Sequence, residues 1–149
     1  MRIERFEGDF RFLSNFWPSK ILPPTLEHHF QAAKVRLTHQ RAEEWRQRIM
    51  SATSPGLAKR HGRLAPCWVD WDAVKDSVML VLVQKKFTDP DLRDLLLATH
   101  PLEIHEGNTW HDNYWGECTC LQCRSHKKFN KLGEILMKVR QEIEANDPH

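Results

Sequence analysis

The sequence lacks several features that would point to common classes of protein. It has no apolar run approaching the roughly 18 residues of a membrane-spanning helix, and no apolar segment follows its polar first residues. We therefore expect a soluble, cytoplasmic protein with no membrane partner. Its 22 basic and 20 acidic residues leave a formal charge of +2, which is too small to indicate general nucleic-acid binding. Repeats, linkers and low-complexity stretches are also missing, so we predict a single domain over 1–149.

Familiar catalytic motifs are missing as well. The sequence contains no Ser-His-Asp order of a triad hydrolase, no glycine-rich nucleotide loop and no His-Glu-x-x-His stretch, which argues against several common enzyme classes. Four cysteines would suffice for two disulfides, but three of them fall within six positions and Cys67 stands alone. This clustering indicates reduced thiols or a metal clip.

The spacing of apolar residues predicts a predominantly helical α+β domain. Alternation of apolar and polar residues predicts a strand at Phe6–Phe12 and a partner strand at Lys20–Leu22, and a further strand is predicted at Leu102–His105. Three- and four-residue spacing, together with Thr, Ser, Asp and Asn caps, predicts helices over 25–37, 41–50, 54–62, 71–87, 89–96 and 130–143.

Three polar residues share one face of the first predicted helix. Glu27, Gln31 and Lys34 lie at offsets of four and seven, which at about 100° per residue return to nearly the same azimuth. Charged residues at such offsets are also common on solvated faces. The aromatic-rich neighbours Phe12–Trp17 and Phe30 favour a walled pocket instead.

A second cluster of polar and aromatic residues lies at Trp110–Gly116. Three large rings surround Asp112 and an amide in a predicted loop. Such rings can form a platform for a flat heterocycle, with Asp112 supplying charge. The alternative is a loop that packs its aromatic rings under itself.

Two further segments are candidate phosphate contacts. Asn130 precedes a helix whose first turn contains Gly133, so backbone N–H groups there can be open to an anion. The alternative is a capped helix whose glycine allows close packing. Arg63, after Gly62, adds a cation that is otherwise part of a solvated surface.

The cysteine cluster is a candidate metal site. Cys118, Cys120, Cys123 and His126 place three thiols and an imidazole within nine residues, a ligand set that tetrahedral Zn²⁺ accepts. Zinc sites usually join two ligand pairs across a longer loop, whereas four ligands packed this closely have little slack. We predict that any zinc here is structural, and the alternative is a loop of reduced thiols.

Six motifs in order resemble the YbiA-like (NADAR) family. They are Phe12–Phe16, Thr25–Lys34, Ser54–Pro55 with Gly62–Arg63, Trp71–Lys75 with Val78–Met79 and Lys86–Phe87, Asp112–Gly116, and Asn130–Met137. Six ordered motifs are far more specific than any one of them. The resemblance covers about Phe6 to Arg140 and implies a compact α+β domain that hydrolyses the N-glycosidic bond of ribosylated bases without an obligatory cofactor.

Family members differ in substrate. Some destroy reactive early intermediates of riboflavin biosynthesis, and others remove ADP-ribose from guanine. In this sequence the cysteine cluster between Gly116 and Asn130 replaces the glycine-rich stretch of some bacterial members, so the substrate stays open. We expect a phosphoribosylaminopyrimidine, with ADP-ribosylated guanine in DNA as the alternative. The rival classes are a non-catalytic ADP-ribose or NAD sensor and a nucleic-acid-binding module built on the cysteines and Arg124–Lys128.

Cleavage of a ribosyl C–N bond requires a carboxylate or nucleophile on one side and a proton donor on the other. Glu27 and Asp112 can supply these roles, and an amine at Lys34 can instead attack the anomeric carbon and form a Schiff base, a route that the resemblance also implies. We predict Lys34 as nucleophile and Glu27 as proton shuttle, ahead of direct water attack. The residues predicted to bind substrate are Asn15, Phe16, Gln31, Arg63, Trp71, Trp115, Asn130 and Gly133.

Overall fold

The computed structural model describes residues 1–147 of the chain. They divide into two compact units: a central unit, Asn15–Asp89, and a terminal unit, which combines Met1–Ser14 with the chain from Pro90 onward. The prediction of a single domain over 1–149 stays a prediction. No helix among the described residues is both long and apolar enough to cross a membrane.

The central unit consists of four helices. They are α1 (Leu26–Ala33), α2 (Ala42–Met50), α3 (Pro55–Leu64) and α4 (Trp71–Lys86). Two of the predicted caps are present: the Thr25 side chain accepts a hydrogen bond from the His28 N–H, and Ser54 accepts one from the Leu57 N–H. Helix α1 ends earlier than predicted because Val35 pairs with Cys67 and the Arg36 N–H donates to Pro66 at 2.8 Å. That pairing draws the chain out of the helix.

Small residues let the helices of the central unit approach closely. Helix α1 packs against α2, α3 and α4, and α2 also packs against α3. Alanines make up five of the seven buried residues in the shared core, which are Ala32, Val35, Ala42, Ile49, Ala52, Ala58 and Ala65. Buried His28 ties α1 to the loop after α2, since its Nε2 lies 2.9 Å from the Ala52 carbonyl oxygen. Helix α1 is thus the enclosed element of this unit.

The terminal unit contains the short strands. Strand β1 (Arg2–Ile3) pairs in parallel with β2 (Glu103–Ile104), and β3 (Gly107–Asn108) pairs in parallel with β4 (Glu117–Cys118). Helices α5 (Pro90–Leu97) and α6 (Lys131–Asn146) complete it, and α6 packs against both α5 and β2. The predicted α+β class with mostly helical content is confirmed.

Two strand predictions are wrong. The segment predicted as a strand at Phe6–Phe12 contains a 3₁₀ helix, Gly8–Leu13, because Gly8 takes a φ of +57° and turns the chain. No strand forms at Lys20–Leu22, where Ser19 closes a tight loop. Its hydroxyl accepts from the Leu22 N–H at 2.9 Å, and its own N–H donates to Pro24. The strand predicted at Leu102–His105 is confirmed as β2, although β1 is its partner.

Lys86 makes the stability of the protein depend on pH. Its side chain on α4 is 1% exposed, with Nζ 5.2 Å from the centre of the Phe87 ring. Burial lowers the pKa of this amine to about 7, whereas the unfolded chain keeps a value near 10.5. Between these two values the unfolded state binds more protons than the folded state.

We expect the free energy of unfolding to rise by about 2 kcal/mol from pH 7 to pH 9 through this lysine, since each pH unit in that window contributes up to about 1.4 kcal/mol. Lys86→Met has no proton to lose and should show a flatter profile over the same range. Urea unfolding of both proteins at several pH values measures the difference. Parallel profiles would show that Lys86 keeps an ordinary pKa.

Candidate active site

A carboxylate and an amide are paired inside the central unit. Glu27 and Gln31 on α1 are only 6% and 4% exposed, so they do not lie on a solvated face. The Gln31 Nε2 amide donates to Glu27 Oε1 at 2.8 Å. A buried glutamate is uncommon, because a carboxylate loses its hydration inside a protein. Its burial makes Glu27 a candidate for a functional position.

The other end of the Gln31 amide has an unused acceptor. Its Oε1 is buried and has no hydrogen-bond partner among the described residues. The amide lies against Gly62 of α3, where any Cβ would overlap Oε1 and approach within 2.8 Å of the Gln31 Cδ. Buried polar atoms nearly always have a partner, so this oxygen is suited to accept from a ligand hydroxyl or a water.

Lys34 completes the polar face at the carboxyl end of α1. Burial is the main reason that its pKa lies below the ordinary lysine value. The Cys67 sulfur and the Glu27 carboxylate oppose this shift, while the positive charges of Arg63 and Lys59 add to it. The amine is more readily deprotonated than one in water, which favours nucleophilic chemistry.

The other predicted site residues of the central unit surround α1 in different ways. The Asn15 carbonyl accepts from the Glu27 N–H at 3.1 Å, and the Asn15 amide donates to the sulfur of Met79 at 3.5 Å. Asn15 therefore anchors the start of α1.

Trp71 is buried, with its ring 5.2 Å from that of Phe30, and forms an aromatic wall. Phe16 is 44% exposed, and Arg63 on α3 is exposed as well. Both side chains are therefore accessible to a ligand.

Asp112 and Trp115 belong to the terminal unit. Asp112 Oδ1 accepts from the backbone N–H groups of Tyr114 and Trp115 at 3.1 and 2.9 Å, which makes Asp112 a turn-forming residue. The Tyr114 ring contacts those of Trp115 and Phe129, with centroids 5.0 and 5.8 Å away. These contacts agree with the alternative of a loop that packs its own rings. Roles for Asp112 in catalysis and Trp115 in binding stay predictions.

The predicted phosphate site at Asn130 and Gly133 requires correction. The N–H groups of residues 130, 131 and 132 donate to the carbonyls of Gly116, Tyr114 and Trp115. Asn130 is buried with a φ of +47°, and its side chain bonds the backbone of Glu106 and Ile104 instead of capping α6. A Cβ at Gly133 would overlap the Ile104 carbonyl oxygen and the Asn130 amide. These three N–H groups are used within the protein, so they are not open to an anion.

The cysteine cluster forms with a different histidine. Cys118, Cys120 and Cys123 lie together with His111, and His126 is exposed outside the group. His126 follows Cys123 in a tight turn, with its N–H bonded to the Cys123 carbonyl. The sequence analysis missed His111 because it considered only the histidine that follows the cysteines. Zinc ligands usually come from two groups separated by a loop, and a search for a ligand before the cysteines could have identified His111.

Comparison with known proteins identifies the family. The NADAR domain model matches residues 5–144. N-glycosidase YbiA of Escherichia coli (strain K12) is 39% identical over 145 residues, covering 91% of this chain and 81% of the relative. The riboflavin biosynthesis protein VVA0006 of Vibrio vulnificus is 33% identical over 149 residues, which are 93% of this chain but 37% of that protein.

A solved structure agrees with these relatives. The NMR structure of Escherichia coli YbiA has a TM-score of 0.76 and 34% identity, and the match covers 100% of this chain and 88% of that chain. An ordered set of motifs, a matching fold and a YbiA relative matched over 81% of its length all lead to one conclusion. The chain belongs to the NADAR domain family, as its resemblance to YbiA-like proteins predicted.

Proposed function

We propose that this chain hydrolyses the N-glycosidic bond of a phosphoribosylaminopyrimidine of the kind formed early in riboflavin biosynthesis. The chain is an enzyme, a hydrolase of N-glycosyl bonds, like the YbiA relatives that it matches over most of their length. The finer substrate assignment is supported by the Vibrio relative, whose name places it in riboflavin biosynthesis.

One observation carries the proposed chemistry. Glu27 is buried on α1 and half-buried Lys34 follows the end of that helix, and the carboxylate is close enough to raise the pKa of the amine that burial lowers. A buried acid near an amine whose pKa is lowered is typical of covalent acid-base catalysis.

The mechanism begins with proton transfer from Lys34 to Glu27. The neutral Nζ then attacks the anomeric carbon, the C–N bond to the base breaks, and the leaving nitrogen takes the proton from the Glu27 carboxyl. The ring oxygen next leaves the anomeric carbon as a hydroxyl, and an iminium joins Lys34 to the open sugar. Water adds to this iminium, the amine departs, and the free sugar phosphate is released. Glu27 returns to the carboxylate, so the net reaction is hydrolysis.

The charges around Lys34 suit a phosphorylated sugar. Arg63 and Lys59 on α3 both act on the Lys34 amine through their positive charge. An anion bound among these three cations would reduce their mutual repulsion. An arginine can also hold a phosphate with two hydrogen bonds. The unused Gln31 acceptor is suited to a sugar hydroxyl beside it.

Base release from two substrates tests the assignment. We expect turnover of a ribosylaminopyrimidine phosphate and much slower turnover of ADP-ribosylated guanine in DNA. The reverse order would keep the enzyme class and overturn the substrate. If neither compound is cleaved yet ADP-ribose binds, the protein is a non-catalytic sensor.

Glu27→Gln keeps the size of the side chain and removes its proton-transfer chemistry. We expect the fold to persist and kcat to fall by at least ~10²-fold, the scale of a lost general acid-base group. Steady-state kinetics with circular dichroism as the fold control measures this change. Near-normal turnover in the folded variant would remove Glu27 from the mechanism.

Lys34→Arg preserves the positive charge but cannot form an imine under turnover conditions. Borohydride added to wild-type enzyme during turnover should reduce the iminium to a stable amine that carries the sugar mass on Lys34, and the variant should lose both adduct and turnover. Peptide mass spectrometry locates the adduct. Lys75→Arg is the matched control, because Lys75 pairs with Asp72 at 3.0 Å on α4. An active enzyme without an adduct would favour water attack assisted by Glu27.

Gly62→Ala tests the support for the buried pair. A methyl group at this position must displace the Gln31 amide, so we expect the hydrogen bond to Glu27 to weaken and kcat to fall by about 10-fold or more. Gly56→Ala on the same helix is the control, since only Ser54 Oγ lies within reach, at 4.0 Å. Equal kinetics for the two variants would contradict a role for the Gln31 position.

A further inference from the structure

Four side chains of the terminal unit converge on one point that the glycosidase chemistry does not use. They are His111, Cys118, Cys120 and Cys123, and their ligand atoms all lie within 4.8 Å of one another. All four cysteines of the chain are free thiols. The group thus offers three thiols and an imidazole at close range, with no competing disulfide.

The separations fit a tetrahedral ion. With Zn–S bonds of about 2.3 Å and a Zn–N bond of about 2.0–2.1 Å, neighbouring sulfur and nitrogen ligands lie about 3.6 Å apart. The His111 Nδ1 atom lies 3.2, 3.4 and 4.0 Å from the sulfurs of Cys123, Cys120 and Cys118. These distances bracket the tetrahedral value, so modest side-chain shifts would complete the coordination sphere.

Backbone and amide hydrogen bonds hold the ligands in place independently of a metal. The Cys118 N–H donates to Asn113 Oδ1 at 2.9 Å, and β4 keeps Cys118 opposite Asn108. His111 has a φ of +69°, and the next residue is fixed because its N–H donates to Asn108 Oδ1 at 3.2 Å. A non-glycine residue with positive φ is uncommon and costs energy, which a metal bond can offset.

We propose that His111, Cys118, Cys120 and Cys123 bind one structural Zn²⁺. Three thiolates and one imidazole match the ligand preference of zinc, and they fill all four positions, so no site is left for a reacting water. Cys118 and Cys123 are buried, while His111 is exposed and leaves a route for the ion to enter. The zinc fixes the loop from His111 to Cys123, whose carbonyls at 114–116 close the first turn of α6.

Metal content and cobalt spectra test the site. We expect the purified protein, or the protein after anaerobic reconstitution, to hold one zinc per chain by elemental analysis. Co²⁺ should give the absorption bands of a tetrahedral thiolate site. His111→Ala should weaken zinc binding by at least ~10-fold, whereas His126→Ala and Cys67→Ser should bind as the wild type does. Because His111 is exposed, its variant should fold, and circular dichroism checks this.

Amide hydrogen exchange distinguishes a structural zinc from one that binds without stabilising the loop. Chelation should speed exchange across residues 108–123 and leave the amides of α4 unchanged. A protein that takes up no zinc after reconstitution overturns the proposal. So does a protein in which His126→Ala loses the metal and His111→Ala keeps it, or one in which chelation leaves exchange in the loop unaltered.

Discussion

The central unit is organised around the need to bury a carboxylate. Glu27 is 6% exposed on α1 and accepts a hydrogen bond from the Gln31 amide, against which α3 packs closely. Gly62 allows that approach, and the alanine-rich core allows α1 to be enclosed by its neighbours. Larger side chains at these contacts would separate the helices and let water reach the pair. The small residues of this unit therefore serve the polar face as much as the core.

Enclosure also determines the chemistry of Lys34. An amine in water stays protonated at neutral pH and is a poor nucleophile, but burial shifts its pKa downward and the two nearby cations act in the same direction. The Glu27 carboxylate acts in the opposite direction, so the pKa of Lys34 reflects a balance between burial, two cations and this carboxylate.

Much of the helical framework could be predicted because its signals are local. Thr25 and Ser54 cap their helices, and the periodicity of α4 and α6 identified both. The strand at Phe6–Phe12 was mispredicted because the alternation of rings and polar residues ignored the backbone freedom of Gly8. The face of Glu27, Gln31 and Lys34 followed from helical spacing. Its burial did not, because burial depends on which helices pack against α1, and that information is not local.

The difference between local and non-local signals also explains the errors at the start of α6 and in the cysteine loop. Asn130 has the composition of an N-cap, yet its amide bonds the backbone at 104 and 106, residues more than 20 positions earlier. The carbonyls that satisfy the first turn come from the loop at 114–116. Sequence spacing identified the three cysteines, but it placed the histidine on the wrong side of them. The turn built by Asn108 and Asp112 brings His111 close to the three cysteines, so the histidine of this cluster is determined by the fold of a loop and not by adjacency in sequence.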